Sequence, residues 1–115
     1  MLADTPRLVP ATRGAAAKLR AALIELGGGQ ATVLRHDEKS WASITFAGTR
    51  HRLELEFAGE AAIQAGEMFI ALLPEHEFML PGQLVADAAV TAADHVLAPE
   101  PKLSVAIELL LLDEG

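Results

Sequence analysis

The sequence predicts an α+β protein. The expected form is a two-layer sandwich, an antiparallel sheet of about five strands with two helices on one face, in the order α-β-β-β-α-β-β. Three observations carry this. A stretch of helix formers runs up to a triple glycine, Gly27 to Gly29. A segment follows in which apolar and polar residues alternate as far as Phe57. The C-terminal run "LSVAIELLLL" has the period and composition of a long strand.

The chain of 115 residues fits one domain. Residues 1–11, with Pro6 and Pro10, read as an extended N-terminal arm, and residues 12–115 as a single α+β domain. Thr12 is a suitable N-cap for "RGAAAKLRAALIEL", in which Ala15, Leu19, Ala22, Leu23 and Leu26 share a face. The glycines end this helix, since glycine accepts the left-handed cap. They follow a helix instead of opening one, so they do not make a phosphate loop.

Three strands are expected next. Thr32–Asp37 alternates and is followed by a turn at Glu38-Lys39. Trp41–Phe46 alternates with Ala42, Ile44 and Phe46 on one face and Trp41, Ser43 and Thr45 on the other. A hairpin signal surrounds Gly48. In Arg50–Phe57, Leu53, Leu55 and Phe57 point inward while Arg52, Glu54 and Glu56 point out. "GEAAIQAGEMFIALL" reads as the second helix, with Ala61, Ala65, Met68, Phe69 and Leu72 on its inner face; a strand over Glu67–Leu73 is the alternative. Pro74 stops it. The alanine-rich "QLVADAAVTAADHVL" is read as a strand, although its alanines also suit a helix. It pairs across "APEPK" with the last strand. That strand presents Leu103, Val105, Ile107, Leu109 and Leu111 on one side, and Leu110 and Leu112 on the other. A strand apolar on both faces is covered on both.

Composition excludes several classes. Hydrophobic residues make up 51% of the chain, too many for a disordered one. There is no cysteine, hence no disulfide, thiolate metal site or cysteine nucleophile. No stretch approaches the ~20 apolar residues of a membrane span. The N-terminus is too mixed for a signal peptide, so a soluble, cytoplasmic protein with no membrane partner is expected. The net charge of −7 argues against nucleic acid. Charge is also polarised. Residues 1–52 hold eight of the nine basic residues and four acids, and residues 53–115 hold Lys102 and twelve acids. Such polarity suits contact between halves or between subunits.

The passage "LPEHEFMLPG", residues 73–82, places His76 between Glu75 and Glu77. His76, Glu77 and Asp87, with His95, are the candidate metal ligands, although no HExxH or HxH spacing is present and no metal or other cofactor is favoured. Adjacent His and Glu in an extended segment point to opposite sides. The alternative is a corner, with Phe78 and Leu80 plugging the core and Pro81-Gly82 launching the next strand. His36 adjoins Asp37 and Glu38. His51 is flanked by Arg50 and Arg52, neighbours that disfavour an imidazolium and a bound cation. Asp87 and Glu108 interrupt apolar strands and join His76 and Glu77 as candidates for acid–base chemistry; paired to Arg50 or Arg52 they would instead be structural. Trp41, Leu110 and Leu112 are the candidate interface residues.

Two readings follow. The first is a non-catalytic protein that self-associates as a homodimer or serves as an interaction module. The second is a small-molecule-binding protein or enzyme with a pocket near residues 73–87. Whether the chain is an enzyme, the sequence leaves open.

Overall fold

The computed structural model describes residues 4–114, and side-chain surroundings from residue 14 onward. Its elements are α1 (Asp4–Leu26), β1 (Thr32–Ala42), β2 (Ala47–Ala58), α2 (Glu60–Leu72), a 3-10 turn (Leu73–Glu75), β3 (Gln83–Val96) and β4 (Lys102–Asp113). The architecture is α+β, with one antiparallel sheet in the order β1-β2-β4-β3. The sheet has four strands where about five were expected.

The missing strand has a plain cause. Glu38-Lys39 is not a turn: the two residues pair with His51 and Arg50 in the middle of a single long β1. The pair holds no glycine, proline or asparagine to break the ladder. The reversal comes at Ser43–Phe46, where the Ser43 N–H donates to the Phe46 carbonyl at 2.7 Å and the Phe46 N–H donates to Ser43 Oγ at 3.1 Å. Ile44 and Phe46, expected within a strand, project from this tip into solvent. Gly48 is not the hairpin turn either; it lies in β2, paired with Trp41 and Leu112.

Residues 4–11, expected as an extended arm, belong to α1, and Thr12 lies inside that helix instead of capping it. Residues 1–3 of the expected arm lie outside the described residues. Pro6 is the third residue of α1, in the first turn, where N–H groups have no intrahelical acceptor and proline is tolerated. The C-terminus of α1 follows expectation. The Gly28 N–H donates to the Glu25 carbonyl and the Gly29 N–H to that of Ile24, both at 2.9 Å, closing a Schellman cap with Gly28 at φ 68°.

Both helices cover the same face of the sheet. Leu19 and Leu23 of α1 and Ala62, Ile63 and Phe69 of α2 join Leu53, Leu55, Phe57, Leu103, Val105, Ile107, Leu109 and Leu111 in one core. At roughly 1.5–3 kcal/mol for each large side chain, this burial is the main source of stability. The inner face of α2 differs from the expected one. Ala62, Ile63, Gly66 and Phe69 are buried, while Met68 and Leu72 are exposed. Gly66 decides the rotation: a Cβ there would sit 2.8 Å from Phe57 and from Leu103. The helix therefore lies with its glycine directly on the sheet.

The alanine-rich segment is a strand, as expected. It carries irregularities between Val85 and Asp87 and between Val90 and Ala92. The passage at residues 73–82 is a corner in the structure. Pro74 sits in the 3-10 turn, Leu73 and Leu80 are buried, and Phe78 packs against the core. Pro81-Gly82 forms a tight turn, with the Gln83 N–H donating to the Leu80 carbonyl at 3.0 Å and Gly82 at φ 79°.

Candidate assembly surface and histidine cluster

The face of the sheet away from the helices is open, and the register arranges its side chains in rows. One row crosses all four strands as Trp41, Gly48, Leu112 and Leu84. The next is Lys39, Arg50, Leu110 and Asp87, and the third Asp37, Arg52, Glu108 and Ala89. The three candidate interface residues Trp41, Leu110 and Leu112 thus converge at one end of this face, joined by Leu84. Leu84 is 50% exposed, Trp41 and Leu110 are half-buried, and Leu112 is only 8% exposed.

Charges on the open face are largely paired. Arg50 donates to Glu108 at 2.9 Å, with Arg52 at 3.7 Å on the other carboxylate oxygen. Arg35 meets Asp37 at 2.7 Å along β1, and Lys102 lies 3.9 Å from Glu56. Glu108 is therefore an ion-pair partner of Arg50 and Arg52. A trough of about 480 Å³ crosses this face, lined by Arg35, Asp37, Arg52, Glu54 and Glu108 among others.

The remaining sequence candidates do not gather. His76 is exposed, its ring set edge-on to Phe78 with centroids 4.6 Å apart. Glu77 and Asp87 are exposed as well. His95 pairs with Leu103 and Asp87 with Leu110, which puts them on the order of 20 Å apart along the ladder. A hollow of about 360 Å³ beside the corner is lined by Phe78, Met79, Leu80, Pro81, Gln83, Leu84 and Glu114. It takes in none of His76, Glu77 or Asp87.

The polar cluster that does form lies on the inner face, at the edge of the core. His51 is 2% exposed and follows the same alternation as Leu53, Leu55 and Phe57. His36 Nε2 and His51 Nδ1 are 2.8 Å apart, and Arg20 Nη1 of α1 lies 2.8 Å from His36 Nδ1. A guanidinium only donates, so His36 Nδ1 accepts. The neutral ring then carries its proton on Nε2 and donates it to His51 Nδ1. Glu38 stands directly across the ladder from His51. Burial and then the Arg20 charge lower the His36 pKa, with Asp37 opposing. Burial and then His36 lower that of His51 to about 4. Both rings are neutral at neutral pH.

The flanking arginines, expected to disfavour charge at His51, are not what lowers its pKa; burial is. Arg50 and Arg52 alternate to the open face and bind Glu108, so their charges lie across the sheet from the imidazole. The same alternation, carried two residues back from Leu53, marks His51 as inward-facing in the sequence. Its meeting with His36 needs the β1–β2 register, and the approach of Arg20 needs the docking of α1.

No family model matches this chain, and no curated protein matches it. Among solved structures, it is similar to a chain in the virion of a native gene transfer agent particle. The identity is 15% and the TM-score 0.55, over 85% of this chain and 91% of that one. The likeness is one of fold. Among the described residues no helix is long and apolar enough to cross a membrane.

Proposed function

We propose that this chain is a non-catalytic structural subunit that pairs with a second copy through the open face of its sheet, as a building block of a larger assembly. One observation carries the reading: the rows of that face are self-complementary. The sheet order β1-β2-β4-β3 lets a two-fold axis parallel to the strands lay β1 over the partner's β3 and β2 over the partner's β4. Each row then meets itself reversed. Trp41 faces the partner's Leu84, and Leu112 faces the partner's Gly48, which has no side chain to obstruct it. Lys39 faces the partner's Asp87, and Arg52 the partner's Glu108.

Aligned sheets pack about 30° apart, so the match is closest near the axis. Four strands about 4.8 Å apart and five same-face rows about 6.7 Å apart give a face of roughly 600 Å², close to the ~800 Å² per partner of a standard interface. The similar chain belongs to a virion particle, and an assembly role suits that likeness.

Size-exclusion chromatography with light scattering tests the reading. The wild type should have twice the 12.2 kDa chain mass. Lys39→Glu and Leu110→Lys, the latter set against the partner's Arg50, should give monomers, and Lys39→Glu combined with Asp87→Lys should restore the dimer. A wild-type monomer at high micromolar concentration would sink the proposal. So would a dimer indifferent to both single changes.

A further inference from the structure

We propose that His36, Glu38 and His51 form a binding site for a divalent transition-metal cation of the zinc class. The site lies on the inner face of the β1–β2 ladder and is independent of pairing through the open face. The ligand atoms of the three residues all lie within 4.8 Å of one another. They come from a His-x-Glu pair on one strand face and a histidine directly opposite that glutamate. Among the described residues no other group of three His, Asp or Glu side chains meets in this way.

The dimensions suit the ion. Tetrahedral ligands at 2.0–2.1 Å from zinc stand about 3.3 Å apart. His36 Nε2 and His51 Nδ1 are already 2.8 Å apart, so the rings need to part by only about half an ångström. The exposed Glu38 supplies the third ligand from the solvent side and leaves a fourth position for water. Two imidazoles and a carboxylate favour zinc, copper or nickel over the hard, oxygen-seeking calcium and magnesium.

Arg20 sets the affinity. In the metal-free arrangement the proton on His36 Nε2 occupies the place of the ion. When Nε2 ligates, that proton moves to Nδ1, and the ring stays neutral with no net proton released. Nδ1–H then cannot accept from Arg20, which must turn away, and its charge repels the cation besides. A glutamine at position 20 would instead accept the Nδ1 proton, the usual outer-sphere support of a ligating histidine. Arg20 is thus a positioning residue that holds the site in its metal-free form.

The test is titration of the full chain with Zn²⁺ alone by isothermal calorimetry, with the visible spectrum of Co²⁺ as a readout of coordination. The expected result is one ion per chain and a tetrahedral Co²⁺ spectrum. Binding should be lost in His36→Ala and weakened in Glu38→Ala. It should be retained in His76→Ala/His95→Ala and tightened about tenfold in Arg20→Gln. Glu38 is exposed, so its variant keeps the test valid if a histidine variant fails to fold. Absence of binding by the wild type would overturn the proposal. So would binding that survives both His36→Ala and Glu38→Ala, or binding that disappears with His76 and His95.

Discussion

His36 donates a hydrogen bond from Nε2 to Nδ1 of His51 at 2.8 Å, joining two strands at the rim of the core. Arg20, bound to the far nitrogen of His36, sets the direction of the chain. Glu38 faces His51 across the ladder, and Leu109 of β4 flanks it on the other side. In metal-free protein this arrangement makes stability depend on pH. The folded pKa of His51 is about 4, below its ordinary 6.5, so the unfolded chain binds more protons between those values. Stability is therefore full above about pH 6.5 and falls as pH drops toward 4, by about 3 kcal/mol for this residue. His36, also lowered, acts in the same direction. Urea unfolding with a chelator present at pH 7.5 and 4.5, for wild type and His51→Leu, measures the effect. Equal pH dependence in the two proteins would contradict it.

Gly66→Ala should destabilise the protein, although helix propensity alone predicts a gain of roughly 1 kcal/mol. The new methyl would lie 2.8 Å from the Phe57 ring and from Leu103 Cδ2. Phe57 is fully buried and Leu103 nearly so, which leaves neither room to withdraw. Overpacking costs about 1–3 kcal/mol, so after the propensity gain the net loss should reach up to about 2 kcal/mol. Thermal unfolding decides the sign.

At Gly48 the obstacle is backbone. A Cβ there would collide with the Leu111 carbonyl oxygen and approach Leu112 Cα to 2.9 Å. Gly48→Ala should therefore cost about 2 kcal/mol or more, since a strand in the middle of a sheet yields less readily than a side chain. Denaturation midpoints under conditions where the chain is monomeric would show this. An unchanged midpoint would mean that β2 and β4 are less closely held here than their register implies.

In the corner at residues 73–82, chemistry and packing separate cleanly. His76→Ala should change stability by less than about 0.5 kcal/mol, because the ring is exposed and sits edge-on to the half-buried Phe78. Leu80→Ala should cost about 2–5 kcal/mol, as the residue is 8% exposed and part of the core. If His76→Ala were the more damaging change, the corner would need a role beyond packing.

Short-range patterning made much of this protein legible from its sequence. Period-two alternation determined the faces of β2 and β4, from Leu53 to Phe57 and from Leu103 to Leu112. The triple glycine determined where α1 stops, and Pro74 and Pro81-Gly82 determined the corner. These signals are local: they depend on backbone sterics and on which side of a strand meets water. Tertiary structure decided the rest. The turn at Ser43–Phe46 has weak local chemistry, and the register of Glu38 and Lys39 against β2 carries the chain through the place where a turn was expected. The inner face of α2 was set by the need of Gly66 to rest on Phe57, a contact no helical period contains. Trp41 and Leu112 share a row only because β1, β2 and β4 align. Arg20, His36 and His51 meet because a helix and two strands converge on one point. Residues far apart in the chain become neighbours through packing, and packing is a property of the whole fold.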